Sequence, residues 1–302
     1  MKPLRQKMTD LMTFRQFSPK TKTAYLYAAT RLALFYNRSP EQINIDEIKH
    51  WLIQTANERH WSASTVHQTI NALKFLYHQV LEYPNNFIDI PLPKRPQKSP
   101  EFLTQNEVYH LLSHADNLRK LTLLSVCYGC GLRVSEVVAL NQDSIDTGHM
   151  FLKIVQGTKS RRISKGKKDR NIPLSMTLLT LLRRYWKAWH PNYYFFCSYQ
   201  KKKPISISSA QKIFTQTKKA SGISKVGGIH SLRHAYATHQ LEQGLPIHQL
   251  QKFLGHKDIS VTMRYLHWLP ESTVLASDLL EQFDPEQTII ETHLKGHSDE
   301  TV

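Results

Sequence analysis

Residues 230–265 read HSLRHAYATHQLEQGLPIHQLQKFLGHKDISVTMRY, and helix start signals recur in this stretch at Ser231, Pro246 and Asp258. The text therefore predicts short helices in succession. It also sets His230, Arg233, His256 and Tyr265 in one run, with a further arginine upstream at Arg133 in GLRVSE. These are the groups needed to break a phosphodiester bond without a metal. Two guanidiniums can grip non-bridging phosphate oxygens, histidines can move protons, and a tyrosine hydroxyl can attack phosphorus.

Outward from that run the chain stays mainly helical. Thr104-x-x-Glu107 is a capping box that opens a helix containing Val108, Leu111 and Leu112. A helix follows from Leu121 to Tyr128, which Gly129 and Gly131 break just before Arg133. FLKIVQ and RNIPL read as strands flanking a stretch rich in lysine and arginine, which predicts an antiparallel hairpin. Ser175 caps a helical run to Trp189, YYFFC reads as a short strand, and another helix begins near Ser208. Past Tyr265, STVLASDLLEQF is a last helix before a polar tail from Asp284 that has little to bury.

The first eighty residues predict a separate helical bundle. Ser18-Pro19 is an N-cap and first-turn proline, followed by Tyr25, Ala29, Leu32 and Phe35 at helical spacing. Ser39-Pro40 precedes a segment with Ile48, Trp51, Leu52 and Thr55 on one face. Ser62 or Ser64 caps a third, carrying Val66, Ile70, Leu73, Tyr77 and Val80. Arg15, Lys20, Lys22, Arg31, Lys49 and Lys74 fall on the outer faces, as phosphate contacts or as an ordinary solvated surface. PNNFIDIPLPKRPQKSP then holds five prolines and no helical period, with Lys94, Arg95 and Lys98 making it a basic strap. The expected organisation is a helical domain over 1–84, a linker over 85–100, a second domain over 101–283 and a tail over 284–302.

A chain of 302 residues with 40 lysines and arginines against 24 acids, a net charge of +16, favours a polyanionic partner such as nucleic acid. MKPLRQKMTD lacks the apolar segment of a secretory signal, and no run reaches the length of a membrane span, so a cytoplasmic, nucleoid-associated protein is expected. Three cysteines, Cys127, Cys130 and Cys197, cannot build a disulfide framework and are expected as buried thiols. His230, His234 and His239 make a helical zinc site conceivable, but no HExxH glutamate accompanies them.

GCGLRVSEVVAL, SKGKKDRNIPL, HSLRHAYATH and LGHKDISVTMRY, in that order, resemble the tyrosine recombinase family of phage integrases and Xer-like enzymes across most of residues 100 to 275. The N-terminal bundle resembles that family's SAM-like core-binding domain more loosely. The resemblance implies a mainly α fold with a small antiparallel β-sheet, and a minimal two-domain enzyme closing on duplex DNA as a C-shaped clamp. It implies that Tyr265 attacks the scissile phosphate and joins the 3′ phosphate while the 5′ hydroxyl leaves, with no cofactor, metal or ATP. Arg133 and Arg233 would hold the transition state, His230 would be the base, and His256 would hydrogen-bond the phosphate. The leaving oxygen would take its proton from a hairpin lysine. Alignment backward from RNIPL selects Lys165, followed by a glycine, and alignment forward from FLKIVQG selects Lys159; the turn-like glycine and following basic pair favour Lys165. Glu136, one turn after Arg133, would orient the arginines.

The expected partners are double-stranded DNA, a homo-tetramer on two DNA sites formed from a free monomer or weak oligomer, and an accessory DNA-bending protein. No membrane is expected. The last helix, from Leu275 to Phe283, would dock on a neighbouring protomer. The alternatives are a catalytically silent DNA-binding protein of the same fold and a type IB topoisomerase, which religates the strand it cuts.

Overall fold

The computed structural model of the chain describes residues 2–84, 87–91, 101–155, 169–198 and 203–266. Two compact units divide it, Met1–Ser99 and Pro100–Val302. In the first, α1 (Lys2–Phe14) precedes α2 (Pro19–Tyr36), whose N-cap Ser18 accepts a hydrogen bond from the Thr21 amide. A single 3₁₀ turn, Pro40–Gln42, leads to α3 (Ile45–Glu58). α4 (Ala63–Lys74), capped by Ser62, runs on into a π-helical turn at Phe75–Val80.

Two expectations shift here. Ser39-Pro40 opens the 3₁₀ turn, because Ser39 makes no side-chain cap bond; α3 starts at Asn44, whose side chain accepts from the Glu47 amide while Glu47 accepts from the Asn44 amide. Of the expected stripe on α2, Leu32 is buried and Tyr25 and Ala29 pack partly buried against the core, but Phe35 is 41% exposed, and Ala28 and Ala33 are buried as well. α1 carries no cap signal, yet its Met8 and Met12 enter a core with Leu32, Ile48, Trp51, Ile70, Leu73 and Tyr77. Each such side chain contributes about 1.5–3 kcal/mol by leaving water.

The second unit opens with α5 (Gln105–Ser113), set by the predicted Thr104–Glu107 capping box, and α6 (Leu118–Gly129). A four-residue helix, α7 (Val134–Val137), leads into a three-stranded antiparallel sheet, β1 (Ile145–Asp146), β2 (Phe151–Ile154) and β3 (Arg170–Pro173), in that order. The predicted hairpin is β2 and β3, with Leu152 opposite Ile172 and Ile154 opposite Arg170. Its inner residues are buried in alternation with exposed Phe151 and Lys153. α8 (Met176–Trp189), α9 (Ile207–Ala220), α10 (His230–Glu242), α11 (Ile247–Leu254) and α12 (Ile259–Met263) complete the described part.

YYFFC forms no strand. Tyr194 bridges Asn141 and Cys197 bridges Pro204 singly, while Phe195, Phe196 and Cys197 pass side by side through the core. Consecutive buried side chains defeat the period-two reading. All three cysteines are free and buried, and burial pushes the Cys130 thiol up to about 12. The basic linker residues, Lys159, Lys165 and the last helix with its tail lie outside the described residues. Among those described, no helix is long and apolar enough to cross a membrane.

Candidate active site

The site begins with a glycine. Gly131, just after α6, has φ 57°, and a Cβ there would come within 2.3 Å of the Tyr236 ring on α10. Only glycine allows this left-handed turn against an aromatic face. The turn sends Leu132 into the core and sets Arg133 at the N-cap of α7.

One carboxylate organises three arginines. Glu136 accepts from the Arg133 amide at 2.8 Å and from Arg133 Nη1 at 3.1 Å. Arg170, at the head of β3, grips both its oxygens, Nη1 to Oε1 at 3.0 Å and Nη2 to Oε2 at 2.8 Å. Arg233 Nη1, from α10, lies 3.8 Å from Oε2. Three formal positive charges against one negative leave two over, a surplus suited to an anion. Burial raises the Glu136 carboxyl's affinity for a proton, but the Arg170 bonds and charge outweigh it, and the group is held below its usual range.

The same arginines seize the end of α11. Arg233 donates Nη1 to Gly131 O and Nη2 to Leu254 O, both at 2.7 Å; Arg133 Nη1 reaches Leu254 O at 3.4 Å. Arg170 Nε donates to Phe253 O at 2.7 Å. Gly255 caps α11 with φ 63°, and a Cβ on it would meet the Arg170 guanidinium at 3.0 Å. Arg170 was not foreseen as a site residue. Its sequence signal is an arginine heading an otherwise apolar strand, a position where burial demands a partner.

His256 follows that glycine. Its Nε2 lies 3.0 Å from Arg233 Nη2, and because guanidinium can only donate, Nε2 accepts. The ring proton then sits on Nδ1, which donates to Thr262 Oγ1 at 2.9 Å. Burial, and then the charges of Arg233, Arg133 and Arg170, push the His256 pKa down to about 4, so the ring is neutral. His230 opens α10, is exposed, and its side chain makes no hydrogen bond among the described residues. Burial followed by Arg233 and Arg133 also lowers its pKa.

Tyr265 stands just past α12 and is only 4% exposed, in a cluster with Tyr236, Ala237, Leu250 and Leu254. Its ring lies parallel to His256, with centroids 6.4 Å apart. Its hydroxyl is 3.1 Å from Nδ1 of His234, and the Arg233 guanidinium is close enough to pull its pKa down. Burial raises the phenol's pKa against the pull of Arg233 and Arg133, so it rests protonated. Of the six residues singled out from sequence, Arg133, His230, Arg233, His256 and Tyr265 share this site, and Lys165 lies outside the described residues. His234, adjacent to Arg233 in sequence, was passed over except as a zinc ligand. His239 instead pairs with the Tyr128 hydroxyl at 2.9 Å, and the described residues hold no group of three His, Cys, Asp or Glu placed for a metal.

In the first unit, a cleft of about 220 Å³ is lined by Tyr27, Arg31, Trp51, Arg59, Trp61 and Gln68, among others. Arg31 lies over the Tyr27 ring, 5.9 Å from its centroid. Guanidiniums beside aromatic faces suit a phosphate backbone and its bases.

A helical unit with a small sheet, and a phenol bedded against a guanidinium cluster and imidazoles, define a class: enzymes that can take a phosphoryl group onto tyrosine. The sequence profile of the phage integrase family matches residues 101–271, and that of the phage integrase N-terminal SAM-like domain matches residues 4–86. Tyrosine recombinase XerA of Pyrococcus horikoshii is 31% identical over 293 residues, covering 96% of this chain and 96% of that protein. Among solved structures, the Tn1549 transposon integrase in complex with circular intermediate DNA superposes with a TM-score of 0.72 at 17% identity, over 96% of this chain and 99% of that one. A lambda integrase tetramer bound to a Holliday junction superposes with a TM-score of 0.71 at 18% identity, over 93% of this chain and 80% of that one. The chain belongs to the phage integrase family of tyrosine recombinases. Its function is site-specific DNA recombination.

Proposed function

We propose that the chain cuts and rejoins duplex DNA through a 3′-phosphotyrosyl bond to Tyr265. The observation that carries this reading is the setting of that hydroxyl: buried, 3.1 Å from His234 Nδ1, and within reach of the charge of an arginine cluster wired through Glu136. Arg133 and Arg233 bind the non-bridging oxygens, where planar, permanently charged forks match a pentavalent transition state. His230 is the exposed imidazole beside them and faces the incoming phosphate. His256 turns from Arg233 to a phosphate oxygen, whose negative charge favours the protonated ring. Lys165 gives the 5′ oxygen its proton. The phosphotyrosyl bond conserves the energy of the broken linkage, so a 5′ hydroxyl from a second duplex can attack it.

Double-stranded DNA is the partner, bound in part by the Tyr27, Arg31 and Arg59 cleft. The active form is a homo-tetramer on two DNA sites, a reading supported by the tetramer known for lambda integrase on a Holliday junction. The protein works in the cytoplasm at the nucleoid, with an accessory DNA-bending protein where the site requires one. The test is a nicked suicide duplex bearing sequence recovered from DNA trapped on the protein. The expected product is a covalent protein–DNA adduct, absent in Tyr265→Phe and undiminished by EDTA. An adduct that survives in Tyr265→Phe overturns the assignment. Exchange between two marked duplexes is expected, and relaxation alone would indicate a topoisomerase.

A further inference from the structure

Among the described residues three imidazoles belong to this site, and their surroundings separate their roles. His256 has both ring nitrogens engaged, Nε2 by Arg233 and Nδ1 by Thr262. His230 is exposed at the first turn of α10. His234, one turn further along, has Nδ1 3.1 Å from the Tyr265 hydroxyl.

At this distance a neutral imidazole with Nδ1 unprotonated can accept the phenol's proton, and the nearby Arg233 charge favours the phenolate that results. We propose that His234, in place of the His230 that the family resemblance implied, is the general base of the cleavage step, taking the Tyr265 proton on Nδ1 as the phenol oxygen attacks phosphorus. This rests on the reading of Tyr265 as nucleophile. The Oη–P bond forms as the P–O5′ bond breaks, and its electron pair leaves on O5′, which takes a proton from the general acid. In the joining step a 5′ hydroxyl attacks phosphorus, giving its proton back to the group that served as general acid, and the Oη–P bond breaks as the tyrosine recovers its proton from His234.

The surroundings keep His234 able to accept. His230 and Arg233 on α10 act on this centre, with His256, Arg133 and Arg170 in the same cluster and Glu136 its single carboxylate among the described residues, held by arginines. Burial, then His230 and Arg233, lower the His234 pKa, which favours the neutral ring. A neutral imidazole with its lone pair toward the phenol is the state a general base requires.

The test is single-turnover adduct formation on the same nicked duplex by the full chain, from pH 6 to about 10. His234→Ala is expected to slow cleavage roughly 100-fold at neutral pH. The deficit should shrink as the pH approaches about 10, where an unassisted phenol ionises. His234→Asn keeps a hydrogen-bonding partner without basicity and is expected to share the defect, which also guards against misfolding of the alanine variant. Added imidazole is expected to restore part of the alanine variant's rate. Recovery of wild-type rate in His234→Asn would make His234 a positioning group and overturn the proposal. So would a faster His234→Ala, the mark of a latch, or a pH-rescued deficit found in His230→Ala alone. An adduct in Tyr265→Phe would instead sink the underlying assignment, so the two failures are distinct.

Discussion

At Glu136 two carboxylate oxygens meet three guanidiniums, and the site's geometry depends on all of them. Arg170 holds both oxygens and, through Phe253 O and Gly255, the end of α11 that presents His256. Removing one partner from a buried ionic group leaves the other uncompensated. Arg170→Met is therefore expected to cost about 3–5 kcal/mol in urea unfolding, with Arg170→Lys recovering only part because it cannot bind both oxygens. Equal stability in Arg170→Met would show that Glu136 needs only the other two arginines. His256 supplies a pH dependence. Its folded pKa of about 4 lies below the ordinary value near about 6.5, so the unfolded chain takes up the proton first. Stability is full above about 6.5 and is lost as the pH falls through 4. The shifts at His230, His234 and His239 have the same sign. The urea midpoint is expected to drop between pH 7 and 4, and less steeply in His256→Asn. At this scale Arg133, Arg233, His256 and Tyr265 were legible because their types and order already imply phosphate chemistry. Arg170 and His234 were not, because their partners are distant in sequence or hidden by the fold.

Elements with a local cause were read well. Ser18, Ser62, Thr104 and Ser175 cap as their side chains dictate, since a cap bond spans only three residues. α3 shows the limit: two serviceable start signals lie close together, and the capping box at Asn44 prevails over Ser39-Pro40. Asn44→Ala is expected to cost about 1 kcal/mol, measured on the unfolding transition of the full chain, while Ser39→Ala leaves it unchanged. Strands were harder, because a strand exists only through its neighbour. β1 is two residues long and is defined by pairing with β2, and YYFFC has the composition of a strand without a ladder to join.

Across the whole molecule, a net charge of +16 sets the terms of DNA binding. Contacts to phosphates release counterions, so affinity is expected to fall linearly in a plot of log K against log salt. Arg31→Ala and Arg59→Ala in the first unit's cleft are each expected to reduce that slope by about 1, leaving adduct formation at saturating DNA intact. An unchanged slope would place the cleft away from DNA. The division into a helical bundle and a mainly helical unit with a small sheet was readable from two independent patterns, cap signals with helical periodicity and a proline-rich break between them.

By itself the sequence determined the helical character of both units, the hairpin, and the identity of the groups able to attack a phosphate, because these depend on residue type and short spacing. Only the tertiary structure decided which imidazole meets the phenol, that Arg170 joins the arginine cluster, and why Gly131 and Gly255 stand where they do. Those facts arise from contacts between residues far apart in the chain. Arg170 and Glu136, His234 and Tyr265 are brought within hydrogen-bonding distance by packing, and no local pattern encodes that meeting.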